Sequence, residues 1–240
     1  MIQQAPAQLH IKSAHKAKRG YMSLDFTPTA RWLGVFSAAA TVLLIVAYAV
    51  TLVLGLLSLE SPDEPIGNPM FTILEVLIIL MMPAMILLMV AVHAWAPARL
   101  KTLSLTALVF MSMLGGLTCS VHFVILTVSR QAAFAGQSWL PLVLEFRWPS
   151  VVYALDILGW DFFFPLSMFF AAPIFSGSRL AAWIRWLMII SGTLALAGLI
   201  GVALDDMQLR NIGIVGYVGV FLIVAVLLAA LFYRAQPKEV

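Results

Sequence analysis

The chain has 240 residues, of which 62% are hydrophobic and only 10% charged, with a net charge of +3. Soluble domains run at roughly 45–50% apolar and about 25% charged, so this composition excludes an ordinary soluble enzyme. It also lacks the clustered basic surface of a nucleic-acid binder and calls instead for an all-α, polytopic membrane helix bundle. The single cysteine, Cys119, excludes an intrachain disulfide.

Residues 1–30 form a basic arm with His10, Lys12, His15, Lys16, Lys18 and Arg19, and no acid before Asp25. No apolar run interrupts it, so it does not read as a secretory signal peptide. A transit peptide has the same composition. A cytoplasmic arm beside anionic headgroups is the simpler expectation.

Six apolar runs follow within 31–234, each long enough to span a bilayer, which takes about 20 residues. They cover 32–58, 70–94, 102–128, 150–175, 181–204 and 212–233, and a short tail, 235–240, closes the chain. Thr27-Pro28 is a good start for the first helix. Pro83 and Pro165 sit inside the second and fourth runs. Each removes a backbone hydrogen bond and is expected to kink its helix.

Charges in the connections orient the bundle. With the N-terminus inside, the cytoplasmic face holds Lys12, Lys16, Lys18, Arg19, Arg31, Arg99, Lys101, Arg179, Arg185, Arg234 and Lys238. The other face holds Arg130, Arg147 and Arg210, with the acids Glu60, Asp63, Glu64, Glu145, Asp205 and Asp206. Eleven basic residues against three satisfy the positive-inside rule. Both termini are therefore expected to be cytoplasmic, in a bacterial inner membrane.

The one long connection, 129–149, carries Trp139, Phe146 and Trp148. It is expected to lie over the outer face as a short interfacial helix, or to act as a lid over a pocket. Trp183 and Trp186 anchor the inner face beside Arg185. In the last two spans, Thr193, Ala197 and Gly201, and Gly213, Gly216 and Gly219, form small-residue stripes. Such stripes suit a tight helix hairpin or a dimer.

The fourth run is the anomaly. It contains Asp156 and Asp161, and a carboxylate in a spanning helix costs about 2.5–3.5 kcal/mol on insertion scales. At 1.5 Å of rise per residue, Asp156 lies about 9 Å inside its helix, Glu75 about 8 Å and His122 about 9 Å. These three helices thus offer Glu75, His122 and Asp156 at one level, with Asp161 about 16 Å in. Cys119 shares a face with His122, and Tyr153 and Trp160 flank Asp156. These residues, Glu75, His122, Asp156, Asp161, Cys119 and Tyr153, are the candidate ligand or ion pathway.

Three functions fit. The first is transport, or binding of a small molecule, ion or proton, through this outer-leaflet cluster. The second is an accessory or scaffold subunit, partnered with itself or another membrane protein, whose polar groups only bind helices together. The third is an intramembrane hydrolase that acts on lipid with a metal-activated water. His122 and two carboxylates supply ligand types, but no HxxxH or ExxH spacing pairs any of them, so no metal is assigned. No motif indicates a cofactor, and the Cys119–His122 pair has no oxyanion donor near it. The bilayer is the one partner the composition requires.

Overall fold

The computed structural model describes residues 26–61, 64 and 66–236, so the basic arm, Asp63 and Lys238 lie outside the described residues. Among these residues 82% are helical and no strand occurs. Six helices are long and apolar enough to cross a membrane. They are α1 (Pro28–Leu57), α2 (Met70–Trp95), α3 (Ala98–Thr127), α5 (Val151–Ile174), α6 (Arg179–Ala203) and α7 (Met207–Arg234). A short helix, α4 (Leu140–Leu144), lies in the long connection.

Local chemistry starts these helices where they start. The Thr27 hydroxyl accepts from Ala30 N at 3.2 Å, and Pro28 occupies the first turn of α1. Ser150 caps α5 by accepting from Tyr153 N at 3.2 Å, and Ser178 caps α6 by accepting from Ala181 N at 3.1 Å. Asp206 caps α7, accepting from Gln208 N at 2.9 Å and Leu209 N at 3.0 Å. That cap moves the start of the last helix from the expected Ile212 back to Met207.

The helices pack in chain order and close into a ring. α1 packs on α2, α2 on α3, α3 on α5, α5 on α6 and α6 on α7, and α7 returns to α1. At this closure Phe26 sits edge-on to Trp95 at 5.0 Å and stacks on Phe232 at 6.0 Å. Arg31 donates to the last carbonyls of α7, Phe232 O at 3.2 Å and Tyr233 O at 2.6 Å. Lys101 does the same for α2, donating to His93 O at 2.7 Å. Cations on C-terminal carbonyls oppose the helix dipole where the backbone has no other partner. The start of α1 and the end of α7 thus share one end of the bundle, here the terminal end. The described residues of the connections 58–69, 128–150 and 204–206 form the opposite, loop end.

α5 is the most enclosed of the six spans, 61% buried against 17% for α1. Its own Phe164 and Met168 are buried in one core cluster with Met81 and Met85 of α2 and Met111 of α3. α5 is not a plain α-helix. Leu158–Phe163 forms a π-helical turn, with Pro165 just after it. The wider turn lies where proline removes a hydrogen bond, and π turns recur at functional sites. Pro83 interrupts no helical residue of α2. The carbonyl that it deprives of an amide is Ile79 O, four residues earlier. Cys119 Sγ donates to that oxygen at 3.8 Å. This contact gives the half-buried cysteine a structural use.

The small-residue stripes are partly corrected. Thr193 is exposed and Gly219 lies on an exposed face, whereas Gly201, Gly213 and Gly216 are buried. The working face of α6 is Ser191, Ala195, Gly198 and Gly201, all buried. Ser191 donates to Gly216 O at 2.8 Å, which ties α6 to α7. Gly201 and Gly216 therefore serve the α6–α7 hairpin.

Candidate functional site

Five ionisable side chains meet near the loop end, contributed by four helices. Glu75 comes from α2, His122 from α3, Asp156 and Asp161 from α5, and Arg210 from α7. All five are buried. His122 Nδ1 lies 2.7 Å from Glu75 Oε2, and its Nε2 lies 3.3 Å from Asp156 Oδ1. Asp156 Oδ2 is 3.8 Å from Arg210 Nη2. Arg210 also reaches Asp161 Oδ2, with Nε and Nη2 each at 3.1 Å. The order is Glu75–His122–Asp156–Arg210–Asp161, a continuous file of alternating charge types.

The helical counts placed Glu75, His122 and Asp156 at one level, and the structure brings all three into contact. Asp161 faces the same interior. Tyr153 joins through its hydroxyl, which accepts from Arg210 Nη1 at 3.5 Å, and the guanidinium lies 5.4 Å from its ring centre. Cys119 does not join, since its thiol is turned to the α2 backbone.

Arg210 is the residue that the sequence reading misplaced. The charge count assigns it to the outer connections with Arg130 and Arg147. Arg210 is 4% exposed. The missed signal was Asp206, a good N-cap four residues ahead of it, which extends α7 past Arg210 and turns the side chain inward.

Three glycines make room for this arrangement. A Cβ on Gly213 would overlap Asp161 Oδ1, and one on Gly198 would approach it to 2.8 Å. That Oδ1 accepts no hydrogen bond, and Arg210 Nη2 has an ion pair but no well-aligned hydrogen bond. Gly201 lets the first turn of α7 rest on α6.

A cavity of about 210 Å³ opens beside the middle of the file. Asp156 and Arg210 form its polar wall with Asn211. Tyr48, Phe146, Tyr153, Trp160 and Tyr217 supply aromatic walls. Phe146 comes from the long connection and packs on His122 at 5.2 Å and Tyr153 at 5.1 Å. It also lines a second cavity, of about 280 Å³, under α4. The long connection thus contributes both a short helix and a ring over the cluster. It is pinned by Trp148, which donates to Asp205 Oδ1 at 2.7 Å.

Among the described residues, no group of three His, Cys, Asp or Glu side chains is placed to hold a metal ion. Both nitrogens of His122 already face carboxylate oxygens. A metal-activated water would need one of them free. The chain matches no protein family, no curated protein and no solved structure.

Proposed function

We propose that the chain is an integral membrane protein that binds a small molecule or ion at the Asp156–Arg210 wall of the cavity, in the service of transport. The supporting observation is the file of five buried ionisable residues whose middle member opens on an aromatic cavity. Buried ion pairs are poor stabilisers, and apolar replacements of equal volume are often neutral or better. In a spanning helix, such groups face the bundle interior and mark ligand or proton paths. The candidate pathway is Glu75, His122, Asp156, Asp161, Arg210 and Tyr153.

Orientation follows the basic residues. Arg31, Arg99, Lys101, Arg179, Arg185 and Arg234 lie at the terminal end, so that end is assigned to the cytoplasm. A bacterial inner membrane is the setting proposed. With Arg210 withdrawn from the loop end, the asymmetry is stronger than the sequence count. A reporter fused after Val240 is expected to read cytoplasmic, and one inserted within 60–69 external. The reverse pattern would refute the orientation.

A second reading has its own support. Each ionisable group in the file has an internal partner, as in a bundle held by polar contacts. His122→Ala separates the two readings. If the cluster binds a ligand, binding or transport is lost, beyond the fall in melting temperature that two stranded carboxylates bring in either reading. If the cluster is a structural clamp in an accessory subunit, the melting temperature falls and no ligand effect appears.

A further inference from the structure

Proton counting sets the charge of the cluster. Each of the two His122 contacts, at 2.7 and 3.3 Å, needs one proton between nitrogen and oxygen. Without it, two acceptor lone pairs would face each other. The imidazole and its two carboxyl groups therefore share two protons. An imidazolium with two carboxylates carries −1. A neutral imidazole with one carboxylic acid and one carboxylate also carries −1. Arg210 and Asp161 cancel each other at 3.1 Å. One negative charge is left over.

Asp156 is the acid of the cluster with the loosest partners. Glu75 is held at 2.7 Å by His122, and Asp161 is held by two guanidinium nitrogens at 3.1 Å. Asp156 has the longest contacts, at 3.3 and 3.8 Å. It is also the one acid in the cavity wall. The same cavity is lined by Tyr48, Phe146, Tyr153, Trp160 and Tyr217. Aromatic faces attract cations, and most strongly where water is excluded. The guanidinium of Arg210 shares the wall, but its charge is balanced by Asp161, and it packs against the Tyr153 ring.

We propose that the cavity binds a small organic cation, an alkylammonium, with its charge against Asp156 and its alkyl groups among the aromatic rings. Hard metal cations want several oxygen ligands, and this wall offers a single carboxylate with the Asn211 amide. The proposal rests on the reading of the cavity as a binding site.

The probes are choline, its uncharged isostere 3,3-dimethylbutanol and its anionic isostere 3,3-dimethylbutanoate, titrated into the purified protein in detergent. Isothermal titration and intrinsic tryptophan fluorescence report binding. Choline is expected to bind saturably, about tenfold or more tighter than the alcohol. Asp156→Asn should erase that preference, and Asp156→Glu should keep it. If neither variant folds, the three isosteres on the unaltered protein still decide. Equal binding of choline and the alcohol, or tighter binding of the butanoate, overturns the cation while leaving the cavity a binding site. No saturable binding of choline also overturns the proposal. The cavity reading itself stands or falls separately, on the His122→Ala comparison.

Discussion

Arg210→Gln is expected to be among the most damaging single changes in this protein. It leaves Asp161 buried with no cation and removes the guanidinium that lies 3.8 Å from Asp156 Oδ2. Breaking one partner of a buried pair costs about 3–5 kcal/mol, because the remaining charge has lost both water and partner. Glutamine returns hydrogen-bonding capacity without charge. Most of the loss should therefore remain. Adding Asp161→Asn to the same chain removes the stranded charge and should recover a good part of it. The measurement is thermal unfolding in detergent, with size-exclusion elution checking that each variant is monodisperse. A single variant as stable as the parent would mean that Arg210 is not held in the bundle as described. A double variant no better than the single would mean that charge pairing is not the reason.

Gly201→Ala should act on the same residue from behind. A Cβ there would overlap the Arg210 backbone nitrogen and come within 2.6 Å of Asp206 O. Backbone atoms cannot rotate away as a flexible side chain can. The first turn of α7 must then lift off α6 and carry Arg210 away from Asp161. Overpacking costs about 1–3 kcal/mol in well-packed cores, and loss of the ion pair adds to it. Gly219→Ala is the matched control. It lies in the same small-residue pattern of the sequence, but the nearest atom to its new Cβ is Val215 Cγ1 at 3.9 Å. There the change should be neutral or gain up to about 1 kcal/mol, since alanine favours the helix over glycine. Equal damage from both substitutions would contradict the packing of α6 on α7.

The pair of glycines illustrates which information is local. Nothing in the sequence around Gly201 and Gly219 tells them apart. One meets a backbone across a helix contact and the other meets nothing, and only the rotation of α6 and α7 about their axes decides which. The stripe Thr193, Ala197, Gly201 failed for this reason: the buried face of α6 is rotated onto Ser191, Ala195, Gly198 and Gly201. The level of Glu75, His122 and Asp156 was legible because it depends on rise per residue alone. Counting from helix ends needs no knowledge of a neighbour.

The sequence by itself determined the six apolar helices, their ends to within five residues, and the shared depth of Glu75, His122 and Asp156. Composition, hydropathy and helical rise are one-dimensional quantities, and the chain carries them openly. Tertiary structure alone decided that Arg210 is part of the file, that Cys119 is not, and that Asp156 faces an aromatic cavity. Those outcomes turn on which way a side chain points around its helix and on what the next helix presents to it. Arg210 lies at a helix end, where one extra turn begun by the Asp206 cap moves a charge from solvent to the interior. The file exists because α7, last in the chain, packs beside α6 and closes the ring on α1, a contact between residues about two hundred positions apart.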